Sequence, residues 1–300
     1  MVILQAKNIR YKYSDGTLAL GGVCLDIEKG AFLAILGPNG SGKTTLLKHF
    51  NGLLKIQEGE VLLDGRPLRK HPSREIVQRV GIVFQDPNDQ LFAQTVQEDV
   101  AFGPMNLGLS KEEIERRVEE ALTLVNMRHC ADKFVGYLSY GQKKRICIAG
   151  VLAMRPEILI LDEPTSGLDP AGVTQLMRLL QRLNRECGIT IIMATNVVDV
   201  VPVYMSRMAV MYEGNIVCEG TPENVFSKTE ELEKMYLELP QIAQLMRLLR
   251  DKDYISMANL PLTIGEARKF LVQKLNGSHT AKSAALNISE AGFSGIESGV

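Results

Sequence analysis

The sequence predicts an α/β protein whose core is a largely parallel sheet, and three observations predict it. Continuously apolar runs recur at Phe32-Leu33-Ala34-Ile35-Leu36, Val80-Gly81-Ile82-Val83-Phe84, Ile158-Leu159-Ile160-Leu161 and Thr190-Ile191-Ile192-Met193. Such runs suit strands covered on both faces, as in a parallel sheet. Segments with helical character separate them, as crossover connections require. The first run also feeds Gly37-Pro38-Asn39-Gly40-Ser41-Gly42-Lys43-Thr44, with Thr45-Leu46-Leu47-Lys48-His49-Phe50 reading as the helix beyond. A strand, a glycine-rich turn and a helix in succession aim a helix N-terminus at whatever the turn holds.

The remaining elements follow in order. Residues 1–36 alternate short apolar and polar runs broken at Ser14-Asp15-Gly16, which reads as β-strands ahead of the turn. Val61-Leu62-Leu63 with Asp64-Gly65 is a further strand and turn. The run at Val80 ends at Gln85. Residues 86–142 read as a helical insertion. Its marked helix spans Ser110 to Met127, with Ser110 and Glu113 as a capping box and Ile114, Val118, Ala121, Leu122 and Val125 on one face. Met208 to Met211 is a last strand, and from Pro222 the chain turns helical, with Ile242, Leu245, Met246 and Leu249 in one stripe. The expected division is a main domain over 1–235, a C-terminal helical extension over 236–275, and a Gly-, Ser- and Ala-rich disordered tail over 276–300.

Bulk properties narrow the function classes. The net charge of −1 gives no general case for nucleic acid, which needs a basic face. The 5 cysteines are scattered without a CxxC pair, which suits ordinary thiols in a reducing compartment. The 4 histidines show no metal-ligand spacing, so no transition-metal site is expected. His49 reads as a helix-face residue, His71 as a surface-loop residue, and Met235, Met246 and Met257 as core filler. The N-terminus turns polar too soon for a signal peptide. The longest apolar run, Ile146 to Met154, is about half of the ~20 residues a membrane span needs. The chain is expected in the cytoplasm unless a partner tethers it.

The chemistry sits in two motifs. Gly37 to Thr44 fits GxxxxGK[ST], the phosphate-binding P-loop. Its glycines allow backbone conformations closed to other residues, so successive N–H groups can cradle phosphate. Lys43 supplies a charge for the β- and γ-phosphates, and the Thr44 hydroxyl a ligand for Mg²⁺. The second motif is Ile158-Leu159-Ile160-Leu161-Asp162-Glu163. A strand ending in Asp162 is the Walker B arrangement that holds Mg²⁺, and Glu163, one residue on, is set to polarise an attacking water as general base.

Further segments carry a family resemblance. Leu138-Ser139-Tyr140-Gly141-Gln142 resembles the LSGGQ signature of ATP-binding-cassette proteins, and Asp162-Glu163-Pro164-Thr165-Ser166-Gly167-Leu168-Asp169 resembles their Walker B and D-loop. Gln85 stands where their Q-loop glutamine lies, and Tyr13 where their adenine-stacking aromatic lies. The resemblance implies a P-loop NTPase nucleotide-binding domain with an antiparallel β subdomain, a parallel-sheet core and a helical subdomain at about 86–142. It implies an ATP site of Tyr13, residues Gly37, Pro38, Asn39, Gly40, Ser41, Gly42, Lys43, Thr44 and Thr45, and Mg²⁺ held by Thr44, Gln85 and Asp162. Ser139, Gly141 and Gln142 would act in trans on ATP in a second cassette subunit, with Asp169 in the D-loop. The family's usual histidine after a strand like Ile191 to Thr195 is here Asn196, which can donate a hydrogen bond but cannot carry a proton.

Phe84 to Phe92, Glu98 to Pro104 and Gly141 to Met154 resemble the energy-coupling-factor importers of bacteria and archaea. Tyr140 and the extension around Leu239-Pro240-Gln241-Ile242 are most similar to their cobalt-importer ATP-binding subunit. This implies an ATPase on the cytoplasmic face of the membrane. Its partners would be a second cassette, a transmembrane coupling subunit and a substrate-binding membrane component. Nickel or a vitamin stays open as cargo, as does weak hydrolysis because of Asn196. A soluble cassette of DNA repair or translation is the rival class, but the coiled-coil insertion, tandem cassettes or basic face of such proteins are not evident.

Overall fold

The chain starts with strands that alternate buried and exposed positions, then shifts to strands buried at every position. The computed structural model describes residues 1–276. Strands β1 (Val2–Lys12), β2 (Leu18–Glu28), β4 (Glu58–Leu63) and β5 (Arg66–Pro67) form a four-stranded sheet in the order β2-β1-β4-β5, antiparallel throughout. β3 (Phe32–Leu36) and α1 (Lys43–Phe50) fall between β2 and β4 in the chain. Asp64 and Gly65 both take positive φ, 50° and 75°, in the tight turn joining β4 to β5.

The second sheet has six strands. α2 (Ser73–Arg79) leads into β6 (Val80–Val83); α3 (Val96–Asn106), α4 (Lys111–Leu124) and α5 (Tyr140–Leu152) precede β7 (Ile158–Asp162). α6 (Pro170–Cys187), β8 (Thr190–Thr195), α7 (Val201–Tyr204), β9 (Arg207–Tyr212) and β10 (Asn215–Gly220) complete it. The order is β10-β9-β3-β8-β7-β6, and every pairing except β9 with β10 is parallel. β3, β7 and β8 are buried at all positions, as continuous apolar runs flanked by crossover helices should be. Phe50, Leu46 and Leu47 of α1 join Ile35, Ile160, Ile192 and Ile3 in one core, which ties the two sheets together.

Several details differ from the sequence reading. The helix expected from Ser110 to Met127 ends at Leu124. Ser110 accepts from the Glu113 N–H, but the capping box is not closed, because the Glu113 carboxylate goes to Arg116 and Arg117. The helical segment does not stop at 142, since α5 runs on to Leu152. His49 and His71 are both buried: His49 Nδ1 lies 2.7 Å from the Thr45 carbonyl and His71 Nδ1 lies 2.9 Å from Glu75.

The described residues separate into two units, Met1–Glu238 and a second that starts at Leu239. α8 (Pro222–Phe226) and α9 (Thr229–Lys234) close the first. The second contains α10 (Gln241–Asp251) and a helix over 264–276. α10 buries Ala243 and Met246, whereas Leu245 is half exposed. At about 100° per residue, Leu245 lies about 130° from the centre of that buried face, so the stripe is narrower than expected. Of the three methionines read as core filler, only Met246 is fully buried. The tail expected over 276–300 lies, from residue 277 onward, outside the described residues.

Candidate active site

The sheet places the predicted residues at one edge. β3 lies between β9 and β8, and β8 lies between β3 and β7. The register pairs Leu36 with Thr195 and Asp162 with Ala194, so Gly37, Glu163 and Asn196 all leave the sheet at the C-terminal ends of neighbouring parallel strands. Ligands of open α/β sheets bind at such an edge.

Two P-loop glycines have specific reasons to be glycine. Gly42, the N-cap of α1, has φ 99°, and a Cβ there would stand 2.4 Å from the Ala19 carbonyl oxygen. Gly37 is not left-handed. Its need is space, since a Cβ would come 2.3 Å from the Met211 carbonyl oxygen.

Lys43 is 5% exposed. Its ammonium donates to the carbonyls of Gly37 (2.8 Å) and Pro38 (3.0 Å) and lies 4.0 Å from Glu163 Oε1. Desolvation lowers its pKa, with Glu163 and Asp162 pulling the other way. Thr44 Oγ1 donates to Asp162 Oδ2 at 2.6 Å. The other Asp162 oxygen, Oδ1, is buried without a hydrogen-bond partner. An orphaned carboxylate oxygen beside a hydroxyl is a hard oxygen donor set, and it fits Mg²⁺. Ser41 Oγ, in the P-loop itself, is a second buried atom without a partner.

Glu163 has φ 43°, a left-handed conformation that is costly for a residue with a Cβ. Its N–H donates to the Ala194 carbonyl at 3.0 Å. Its own carbonyl accepts from the Ser166 N–H at 3.1 Å and from the Lys144 ammonium at 3.2 Å. Gln85 Nε2 donates to Glu163 Oε2 at 3.3 Å. The structure therefore brings two bonded sets side by side at adjacent positions of the chain, Thr44 with Asp162 and Lys43 and Gln85 with Glu163. Tyr13 joins their flank: the phenol lies 2.9 Å from Thr45 Oγ1, and the ring, 39% exposed, stacks edge-on against Tyr11.

The other predicted residues stand apart. Ser139 caps α5 in a closed box with Gln142, whose Oε1 accepts from the Ser139 N–H at 2.9 Å. Gly141 packs against Leu168, and a cavity of about 300 Å³ opens beside Ser139, Gly141, Gln142 and Leu168. Asp169 caps α6 through Gly172. Asn196 is exposed. Among the described residues, no hydrogen bond or ion pair joins these groups to the P-loop.

The sequence reading passed over Lys144. It is 2% exposed, and burial pushes its pKa down to about 8. The signal was available as a lysine one turn into a helix that continues into Ile146-Cys147-Ile148-Ala149.

Comparison with known proteins gives a consistent result. Residues 20–166 match the model of the ABC transporter family. The chain is 50% identical over 281 residues to the energy-coupling factor transporter ATP-binding protein EcfA of Methanocaldococcus jannaschii, covering 92% of this chain and 99% of the relative. To the EcfA of Methanococcus maripaludis it is 51% identical over 280 residues, covering 92% and 100%. Among solved structures, cbiO1 of Clostridium perfringens, described as part of the ABC transporter complex cbiONQ, superposes with a TM-score of 0.71 at 47% identity over 82% of this chain and 99% of that one. A dimeric ATP-binding cassette in a post-hydrolysis state with ADP and Pi gives a TM-score of 0.67 at 31% identity, covering 73% and 99%.

Proposed function

The chain belongs to the ABC transporter family, among the ATP-binding proteins of energy-coupling factor transporters, and on that premise we propose the residue roles, assembly and cargo of its ATPase. ATP hydrolysis coupled to transport comes with the family. Lys43 and the P-loop amides bind the phosphates, and Tyr13 stacks on adenine. Thr44, Asp162 and Gln85 would hold Mg²⁺, which when bound neutralises charge developing on the phosphates. Glu163 accepts the proton of the attacking water at its carboxylate, with Gln85 Nε2 and Lys43 fixing where that carboxylate sits. Asn196 donates its amide N–H toward the γ-phosphate edge.

A second cassette supplies Ser139, Gly141 and Gln142 at a helix N-terminus, where partial positive charge suits a γ-phosphate, and Asp169 lies at the same interface. The likeness to a cassette solved as a dimer with ADP and Pi supports pairing with a second cassette. Among the described residues no helix is long and apolar enough to cross a membrane, so transport needs membrane partners. We assign the chain to the cytoplasmic membrane face. An apolar groove of about 470 Å³ lined by Val77, Phe92, Phe102, Leu107 and Met154 offers a place for a coupling helix of the transmembrane subunit. Cobalt as cargo rests on Tyr140 and the extension around Leu239 to Ile242. The likeness to cbiO1 supports that resemblance.

The single observation that carries this reading is the convergence at the strand ends of the Thr44–Asp162 pair and of Lys43 and Gln85 on Glu163. The test is uptake of radiolabelled Co²⁺ by cells lacking this chain, complemented with wild type or Lys43→Ala. Uptake restored by wild type alone supports cobalt import. Restored uptake of nickel or a vitamin instead of cobalt would move the cargo. Equal rescue by Lys43→Ala would remove the ATP-driven role.

A further inference from the structure

The first turn of α5 touches three parts of the candidate active site at once. Tyr140 Oη donates to the Gln85 carbonyl at 3.4 Å. Its ring lies against Gly167, where a Cβ would come 2.8 Å from Tyr140 Cε1 and where φ is 74°. One turn on, the Lys144 ammonium sits 5.3 Å from the centre of the Tyr140 ring and donates to the Glu163 carbonyl. Lys143 reaches Asn88, just past Gln85, at 2.8 Å. The same turn begins at Ser139, whose box with Gln142 fixes the helix start.

Lys144 is costly where it stands. A buried ammonium loses its hydration, and no carboxylate lies within ion-pairing distance among the described residues. The carbonyl it meets belongs to a residue whose left-handed backbone is itself unfavourable. Two donors, the Ser166 N–H and Lys144, lock that peptide plane, and the plane sets where the Glu163 side chain leaves the chain. The Ser166 bond is local, within the turn. Among the described residues Lys144 is the donor that ties this carbonyl to α5, while the Glu163 N–H ties the residue to β8 through the Ala194 carbonyl.

We propose that Lys144 is a positioning residue for Glu163, holding its carbonyl so that the carboxylate faces the P-loop, and that Lys144 makes this alignment depend on the position of the signature helix. This rests on Glu163 as general base. Because Ser139, Gly141 and Gln142 would engage ATP bound to the partner cassette, engagement of a subunit's signature and the position of its own base are then coupled through α5. Tyr140, which stands where a glycine is usual, supplies the aromatic face under the ammonium and a second link to Gln85.

The test uses the full chain in its assembled transporter for kinetics and the full nucleotide-free chain for hydrogen exchange. Lys144→Met keeps the length and removes the donor, and replacing a buried charge by an apolar group of similar size does not threaten folding. It is expected to lower kcat about ten- to a hundredfold with KM for ATP within about threefold. Amide exchange across residues 163–166 should quicken in the same variant, while exchange in α1 and β3 stays put. Lys144→Gln retains an N–H donor and should recover at least about threefold of the lost rate. Unchanged kcat, unchanged exchange at 163–166, or a rate loss that Lys144→Gln does not recover would overturn the proposal. Glu163→Gln is the control: if it turns over at the wild-type rate, the general-base reading falls. The exchange measurement then still decides whether Lys144 holds this backbone.

Discussion

Lys43→Ala should separate stability from ligand affinity, because the structure gives the ammonium opposing roles in the two. In the nucleotide-free chain it donates to two P-loop carbonyls at 2.8 and 3.0 Å and lies 4.0 Å from Glu163. Hydrogen bonds to a charged group contribute about 1.5–3 kcal/mol each. Against them stands the desolvation of a cation that is 5% exposed, several kcal/mol once relaxed. The two nearly cancel, so removing the side chain should change folding stability by less than about 1 kcal/mol, or about 2–4 °C in Tm. With ATP the account is one-sided. A unit charge pair at about 4 Å is worth about 4 kcal/mol at an effective dielectric of about 20. Less some loss of the carbonyl contacts, about 3–4 kcal/mol of binding goes, or 10²–10³ in Kd at about 1.4 kcal/mol per decade. Titration calorimetry with ATP and Mg²⁺, alongside thermal unfolding without nucleotide, reads both quantities. An ATP affinity within threefold of wild type would refute the assignment of Lys43. A drop in Tm well beyond about 4 °C would refute the cancellation.

Glu163→Gln should retain ATP binding and accumulate a dimer with ATP and Mg²⁺, seen by light scattering; wild-type turnover in the variant would end the role given to Glu163. Asn196→His should raise ATPase activity of the assembled transporter at least about tenfold, below the 10²–10³ that one preorganised polar contact typically carries, because the amide recovers part of it. Unchanged turnover would mean that Asn196 does not act at the γ-phosphate. The isolated chain should show no stoichiometric sub-micromolar Co²⁺ site by equilibrium dialysis, since no cluster of three or more His, Cys, Asp or Glu gathers among the described residues. Finally, Lys144 carries its proton to about pH 8 in the fold and to about 10.5 when unfolded. Between those values the unfolded chain binds more protons, so its contribution to stability rises with pH, by at most about 3 kcal/mol at 1.36 per unit. Urea melts of wild type and Lys144→Met across that window should diverge by this amount, and parallel curves would contradict it.

The parts of the fold that could be read in sequence are those where one local rule decides. β3, β7 and β8 are apolar at every position because both faces are covered, and the P-loop spacing fixes a strand before it and a helix after it. The partners of polar side chains were not readable in the same way. Glu113 has the spacing of a capping box with Ser110, yet Arg116 and Arg117 outbid the Ser110 N–H for its carboxylate. His49 reads as a helix-face residue and His71 as a surface-loop residue, but the fold buries both rings, with the Thr45 carbonyl of α1 beside His49 and the Glu75 carboxylate of α2 beside His71. A stripe of four apolar residues in α10 overstates its buried face because hydropathy alone does not say which 100° of the helix meets a neighbour.

Within the candidate site, the residues that break local rules are the ones that mark the chemistry. Glu163 holds a left-handed φ, Lys144 a buried charge, and Asp162 Oδ1 and Ser41 Oγ buried atoms without partners. Each is unfavourable on its own, by about 1–3 kcal/mol for a strained backbone or an unpaired buried polar group. Single features of this kind occur elsewhere, at the partnerless buried Nε2 atoms of His49 and His71 and at left-handed residues such as Arg155 and Glu213. Here four are adjacent: Asp162 precedes Glu163, Lys144 bonds the Glu163 carbonyl, and Ser41 stands two residues before the Lys43 that reaches Glu163. A folded chain tolerates several such costs in one place where a bound ligand relieves them together. Orphaned oxygens gain a cation, a desolvated ammonium gains phosphate, and a strained carboxylate gains a water to polarise. The cluster is therefore expected to be the part of the fold that nucleotide stabilises most. Hydrogen exchange at residues 41–44 and 162–166 should slow with ATP and Mg²⁺ far more than exchange in β1 or β2. Protection spread evenly over both sheets would show that these costs are not linked to the nucleotide.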